Sequence, residues 1–183
     1  MIRRIPMILL MVLFLGSVFF STASTLQKRD HLTLQEVDLV KEAQLLDKRI
    51  DVFIKAAERR LLVINGSAAA NAKQLKKDSE RWGDLPTGSR AELVSDIARI
   101  LDEAITNIDD VSARDERNPL IPKALRKLAQ SVNSIIAQLK PIGAEAKSEA
   151  EAGSFEALNE GAQSILEAAK KLPAEVEKKA KKN

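Results

Sequence analysis

The stretch Leu39-Val-Lys-Glu-Ala-Gln-Leu-Leu-Asp-Lys-Arg-Ile-Asp-Val-Phe-Ile-Lys-Ala-Ala-Glu-Arg-Arg-Leu-Leu-Val-Ile64 decides the fold class. Its apolar positions Leu39, Ala43, Leu46, Ile50, Phe53, Ala57, Leu61 and Ile64 step by four and three, which puts them on one face of a helix and is incompatible with strand alternation. Thr33 followed by Glu36 forms a capping box ahead of it, and Asn65-Gly66 is a C-terminal stop. The spacing predicts a helix over 33–65. Asn65-Gly66-Ser67 also fits the N-glycosylation pattern, but a helix stop explains it more simply. The same phase continues weakly through Ala68, Ala72, Leu75 and Trp82, predicting a further helix over 68–82, broken from the first at Gly66.

Downstream the pattern repeats. Gly83-Asp-Leu-Pro-Thr-Gly88 gathers turn residues and reads as a loop. Ser89 with Glu92 caps a helix over 90–113, with Val94, Ile97, Leu101, Ala104, Ile108 and Val111 inward. Asn118-Pro119 opens another over 119–140, carrying Ile121, Leu125, Leu128, Val132, Ile135 and Leu139, and Pro141 and Gly143 end it. Phe155, Leu158, Ala162, Ile165, Ala169 and Leu172 mark the last, over 154–172, with 144–152 as an exposed lead-in helix. No segment shows strand alternation, so the fold class is all-α: an antiparallel, up-down-up-down helical bundle of about four main helices spanning 33–172.

The two ends read differently. Met1 to Arg4 is cationic, Ile5 to Phe20 is almost wholly apolar, and Ser21-Thr22-Ala23 supplies small residues, the layout of a signal peptide over 1–23 cleaved after Ala23. The apolar run is short of the roughly 20 residues that span a bilayer, which makes an uncleaved membrane anchor the lesser alternative. The expected compartment is the bacterial periplasm or the exterior. Residues 24–32 read as a disordered linker and 173–183 as a charged, flexible tail whose lysines attract anionic surfaces weakly.

Composition narrows the chemistry. The net charge of +3 loses Arg3 and Arg4 on cleavage, leaving a nearly neutral protein with interleaved charges, unlike the clustered cations of a nucleic-acid binder. There is no cysteine, hence no disulfide, thiol nucleophile or iron–sulfur cluster. The methionines, Met1, Met7 and Met11, all leave with the signal segment, and the single histidine, His31, precedes the first helix as a solvated end residue, so axial haem ligation and Glu-x-x-His di-iron sites lack their ligands. Asp109, Asp110, Asp115 and Glu116 cluster without the alternation or glycine of a calcium loop; they read as solvated acids near a helix end, with contact to Lys123, Arg126 and Lys127 as an additional use. No serine or threonine has a base in reach. The expectation is therefore a protein with no enzyme activity, cofactor or metal.

One candidate contact surface stands out. Trp82 sits beside Gly83 at a helix end, as a core plug or a contact point for a partner. Lys73, Lys76, Lys77 and Arg81 recur at helical spacing just before it; of these Lys73, Lys77 and Arg81 join Trp82 as candidate partner contacts, the alternative being a solvated face. Two function classes follow: an envelope interaction or scaffold protein with an unidentified protein partner, or a binding module for apolar cargo such as a lipid, a hydrophobic ligand or an unfolded chain. Oligomeric state stays open, since the first stripe could seam a dimer.

Residues 38–60 and the run Asn118-Pro-Leu-Ile-Pro-Lys-Ala-Leu-Arg-Lys-Leu128 resemble an uncharacterised family of small exported helical proteins from soil bacteria. The resemblance implies export and helices, and no known activity. The stress-induced periplasmic helical chaperones carry Leu-Thr-x-x-Gln; here Leu32-Thr33-Leu34-Gln35 places the glutamine one residue early and no second copy follows.

Overall fold

A computed structural model describes residues 29–173, so the expected signal peptide over 1–23, residues 24–28 of the expected linker and the expected tail from 174 onward lie outside the described residues. The described residues form six helices: α1 (Leu34–Glu42), α2 (Leu46–Ile64), α3 (Ala72–Trp82), α4 (Arg90–Arg114), α5 (Leu120–Gly143) and α6 (Glu149–Lys170). No strand occurs among the described residues.

The longer helices α2, α4, α5 and α6 enclose the core. From α2 it takes Ile50, Phe53, Ala57 and Leu61, from α4 Val94, Ile97, Leu101 and Ala104, from α5 Leu128, Val132, Ile135 and Leu139, and from α6 Leu158, Ala162 and Ile165. These are the stripes that the three-and-four spacing picks out, and burying each such Leu, Ile or Phe contributes roughly 1.5–3 kcal/mol. The capping boxes Thr33/Glu36 and Ser89/Glu92 both form.

Adjacent core helices are not all antiparallel, a correction to the simple up-down bundle. Lys123 and Lys127 of α5 pair with Asp47 and Asp51 of α2, and Asn65 meets Gln138, so the two helices ascend together. Arg90 pairs with Glu151 near the starts of α4 and α6, which are likewise parallel neighbours. Arg60 facing Asp96 and Arg49 facing Asn107 make α2 and α4 antiparallel. The Asp115–Pro119 connection therefore carries the chain across the diagonal of the bundle.

The single helix predicted over 33–65 is two helices, separated at Ala43-Gln44-Leu45. On one straight helix Glu36 and Arg60 would stand about 36 Å apart at 1.5 Å per residue. They lie 2.7 Å apart, because α1 doubles back along α2. The break is closed by side chains: Arg49 Nε donates to the Ala43 carbonyl at 3.1 Å and Gln44 to that of Lys41 at 3.0 Å.

Other boundaries also move. Asn65 is the C-cap of α2, and turns carry the chain from Gly66, whose φ of 63° suits a residue without a Cβ, to the start of α3 at Ala72 rather than at 68. Pro141 forfeits one donor in the last turn of α5 yet the helix runs on to Gly143. Part of the expected lead-in helix is simply the first turn of α6, capped by Ser148. The linker expectation fails for residues 29–32: Leu32 is buried in the core cluster and Arg29 is ion-paired to Asp96.

Helices α1 and α3 form a layer beside this bundle. The α3 backbone approaches no helix other than α1, and no α3 residue is buried. Leu39 of α1 and Val52 of α2 are buried outside the main core cluster, in a minor contact between α1 and α2.

Candidate interaction site

The layer is fastened by the packing of Val37, Val40 and Trp82 on the core and, between them, by buried charge. Glu36, on the first turn of α1, is fully buried, and so to within 1% are Arg59 and Arg60 of α2. Arg60 Nη2 and Nη1 donate to the two Glu36 carboxylate oxygens at 2.7 and 2.8 Å in the bidentate geometry favoured by guanidinium and carboxylate, and Arg59 Nε adds a third donor at 3.3 Å. The same carboxylate accepts the Thr33 backbone N–H, so the capping box of α1 and the ion pair share one group.

The arginines have further partners. Arg60 also donates to the carbonyls of Ala56 and His31, pinning the entering chain. Arg59 Nη2 donates to the carbonyls of Trp82, Gly83 and Asp84 and so caps the end of α3, where unpaired carbonyls and the helix dipole favour a cation. Its guanidinium also stands 5.6 Å from the centre of the Trp82 ring. Gly83 has a φ of 65°, and a Cβ there would meet the Gln35 side chain of α1 at 3.0 Å. Burial lowers the Arg59 pKa from its ordinary value, and the Glu36 carboxylate counteracts this.

A second acid, Asp96 of α4, is buried between Arg29, 2.9 Å away, and Arg60, 3.9 Å away. Burial pushes its carboxyl up from the ordinary aspartate value, against the pull of Arg29, Arg60 and Arg99. Outside this cluster Lys55 of α2 reaches Asp78 of α3 at 3.1 Å and holds that carboxyl below its ordinary value.

Several sequence expectations change here. His31 is not a solvated end residue: it is half-buried with Nε2 2.7 Å from Glu103. Lys123 and Lys127 pair with Asp47 and Asp51, and Arg126 donates to the Pro173 carbonyl, not to the acids at 109–116.

The four candidate contact residues all lie on α3, in two groups. Lys73, Lys77 and Arg81 are exposed, and with Lys76 they occupy one arc of the helix. None of these four forms an ion pair among the described residues, whereas Asp78, the acid that could balance them, is turned inward to Lys55. Glu80 alone opposes them on that arc. Trp82, Leu75 and Asp78 occupy the opposite, inward arc, and Trp82 is half-buried against the core.

Between α1, α2 and the end of α3 lies a groove of about 560 Å³. Leu39, Val52 and Trp82 give it apolar walls, Leu45 stands at its rim 57% exposed, and Arg81 and Glu42 flank it. Leu34, on the first turn of α1, is the other large apolar side chain exposed among the described residues. The sequence pattern located Trp82 and the cationic arc but not the groove, which requires α1 to fold back. A signal for the ionic cluster was present: Arg59 and Arg60 follow Val52 and Ala56 at buried helical phase.

The chain matches no family model, no curated protein and no solved structure.

Proposed function

We propose that this is an exported, non-catalytic interaction protein in which α2, α4, α5 and α6 serve as a scaffold and the α1–α3 layer is the working surface. One observation carries the reading: the exposed Leu34 of α1, the exposed Leu45 at the break between α1 and α2, the groove and a cationic arc without ion pairs among the described residues all lie on or beside this layer. Several charges on the bundle are paired, as in Lys123–Asp47, Arg90–Glu151 and Lys170–Glu167. The three-part pattern of residues 1–23 supports export.

The test is site-specific photocrosslinking in cells, with the reactive residue at Lys73 or Lys77 in one set and at the exposed Gln130 or Glu160 in another. The reading expects a recurrent protein adduct from the α3 positions alone. Identical background from all four positions contradicts it, and fractionation with the membrane through an unprocessed N-terminus contradicts the soluble exported form.

A second reading, a module for apolar cargo, draws on the groove walls Leu39, Val52 and Trp82. It expects co-purified lipid or strong hydrophobic-dye binding, and a dye-silent, lipid-free protein removes it.

A further inference from the structure

We infer that the Trp82 groove and the α3 cationic arc together receive an acidic peptide segment bearing a large apolar side chain. The inference rests on the interaction reading and gives the partner a chemistry. Lys73, Lys76, Lys77 and Arg81 outnumber Glu80 on the outward arc, and Asp78 is spent on Lys55, so the arc attracts a chain carrying several carboxylates. Arg81 belongs both to this arc and to the groove, which joins the two features into one continuous surface. At the groove end, Leu39, Val52 and Trp82 form an apolar recess beside the exposed Leu45. Its volume of about 560 Å³ accommodates a bulky side chain together with the adjoining backbone.

An anionic bilayer surface would also attract the lysines, but the geometry disfavours it. A helix that lies in a membrane interface directs its apolar residues outward with its cations at the flanks. On α3 the apolar Leu75 and Trp82 occupy the arc opposite the cations and face the protein, and Leu39, Val52 and Trp82 line a recess set back from the exposed Leu45. A partner must insert a side chain to reach it.

The chain contains one tryptophan and no tyrosine, so indole emission reports the groove alone. The experiment titrates the full-length protein, as processed by the cell, with three short synthetic peptides: glutamates flanking a central phenylalanine, the same peptide with serine for phenylalanine, and a lysine version. Phosphatidylglycerol vesicles form a fourth arm. The expected result is a saturable change in Trp82 emission with the glutamate–phenylalanine peptide, binding about tenfold weaker for the serine version, and further weakening as salt rises. A Lys73→Glu/Lys77→Glu variant, whose circular dichroism melting curve checks the fold, is expected to bind about tenfold more weakly.

Absence of saturable change, equal binding of the lysine peptide, or indifference to the double charge reversal overturns the inference. A change produced by vesicles and not by peptides replaces the peptide with a membrane surface. If crosslinking at α3 captures a recurrent partner while the acidic peptide fails to bind, the interaction reading stands and this inference falls alone.

Discussion

The bundle of α2, α4, α5 and α6 and the layer of α1 and α3 belong to one chain but are held by different physics. In the bundle, Phe53, Ile97, Leu128 and Leu158 interdigitate with little or no exposure, and dispersion and water exclusion do the work. In the layer, α3 has no fully buried residue; its half-buried Trp82 packs on the core, and Arg59 on its last carbonyls and Lys55 on Asp78 position it. An apolar core must come apart cooperatively, because each side chain leans on many others. A helix fastened by a few ionic hydrogen bonds can leave alone, since the arginines it releases regain water.

The comparison breaks most visibly in the core. Phe53→Ala removes a fully buried ring and is expected to cost about 3–5 kcal/mol of global stability, read as a cooperative loss in denaturant titration. Next comes Glu36→Gln, which leaves Arg59 and Arg60 without their shared carboxylate. It is expected to cost about 3 kcal/mol, and that cost should appear as opening of α1 and α3, not as unfolding of the bundle.

The two aspartates offer smaller, opposed tests. Asp78→Asn loosens α3 by about 1 kcal/mol near neutral pH. Because Lys55 first, then Gln74 and Arg59, hold the Asp78 pKa below its ordinary value, its contribution is present above the usual aspartate range and is lost as pH falls through the folded value. The gap between wild type and this variant therefore closes in acid. Asp96 has the reverse sign, since burial raises its pKa: its contribution is fullest below the ordinary value and declines as pH rises through the folded one. Asp96→Asn is thus least harmful near neutral pH and more harmful in acid, as denaturant titrations at several pH values would reveal. At the bottom of the scale, Lys73→Glu with Lys77→Glu should shift stability by less than about 0.5 kcal/mol, because both side chains are exposed and unpaired.

The same contrast explains what the sequence made legible. Apolar stripes announce themselves through their period, and nearly every inward position expected on α2, α4, α5 and α6 lies in or against the core, while Ala68, Ala72 and Leu75 of the 68–82 stripe do not. The ionic cluster leaves a fainter trace, the buried helical phase of Arg59 and Arg60, because Glu36 and Arg60 are 24 residues apart and Glu36 alone resembles ordinary surface charge. Leu39 and Ala43 extend the stripe of α2 without a break in phase, so nothing in the period signals that α1 turns back. The turn is set by tertiary pairing of Glu36 with two arginines, which overrides local helix preference. Half of the candidate site was readable for the same reason: the cationic arc is local to α3, while the groove is built from residues on three helices.

The central claim is that the layer is a separately detachable unit held by the Glu36 cluster. Native-state hydrogen exchange, resolved by peptide and compared between wild type and Glu36→Gln, tests it most directly. The account predicts that amides of α1 and α3 lose protection in the variant while those of α2, α4, α5 and α6 keep theirs. Equal loss of protection across all six helices, or α3 amides as protected in the wild type as those of α4, would contradict it.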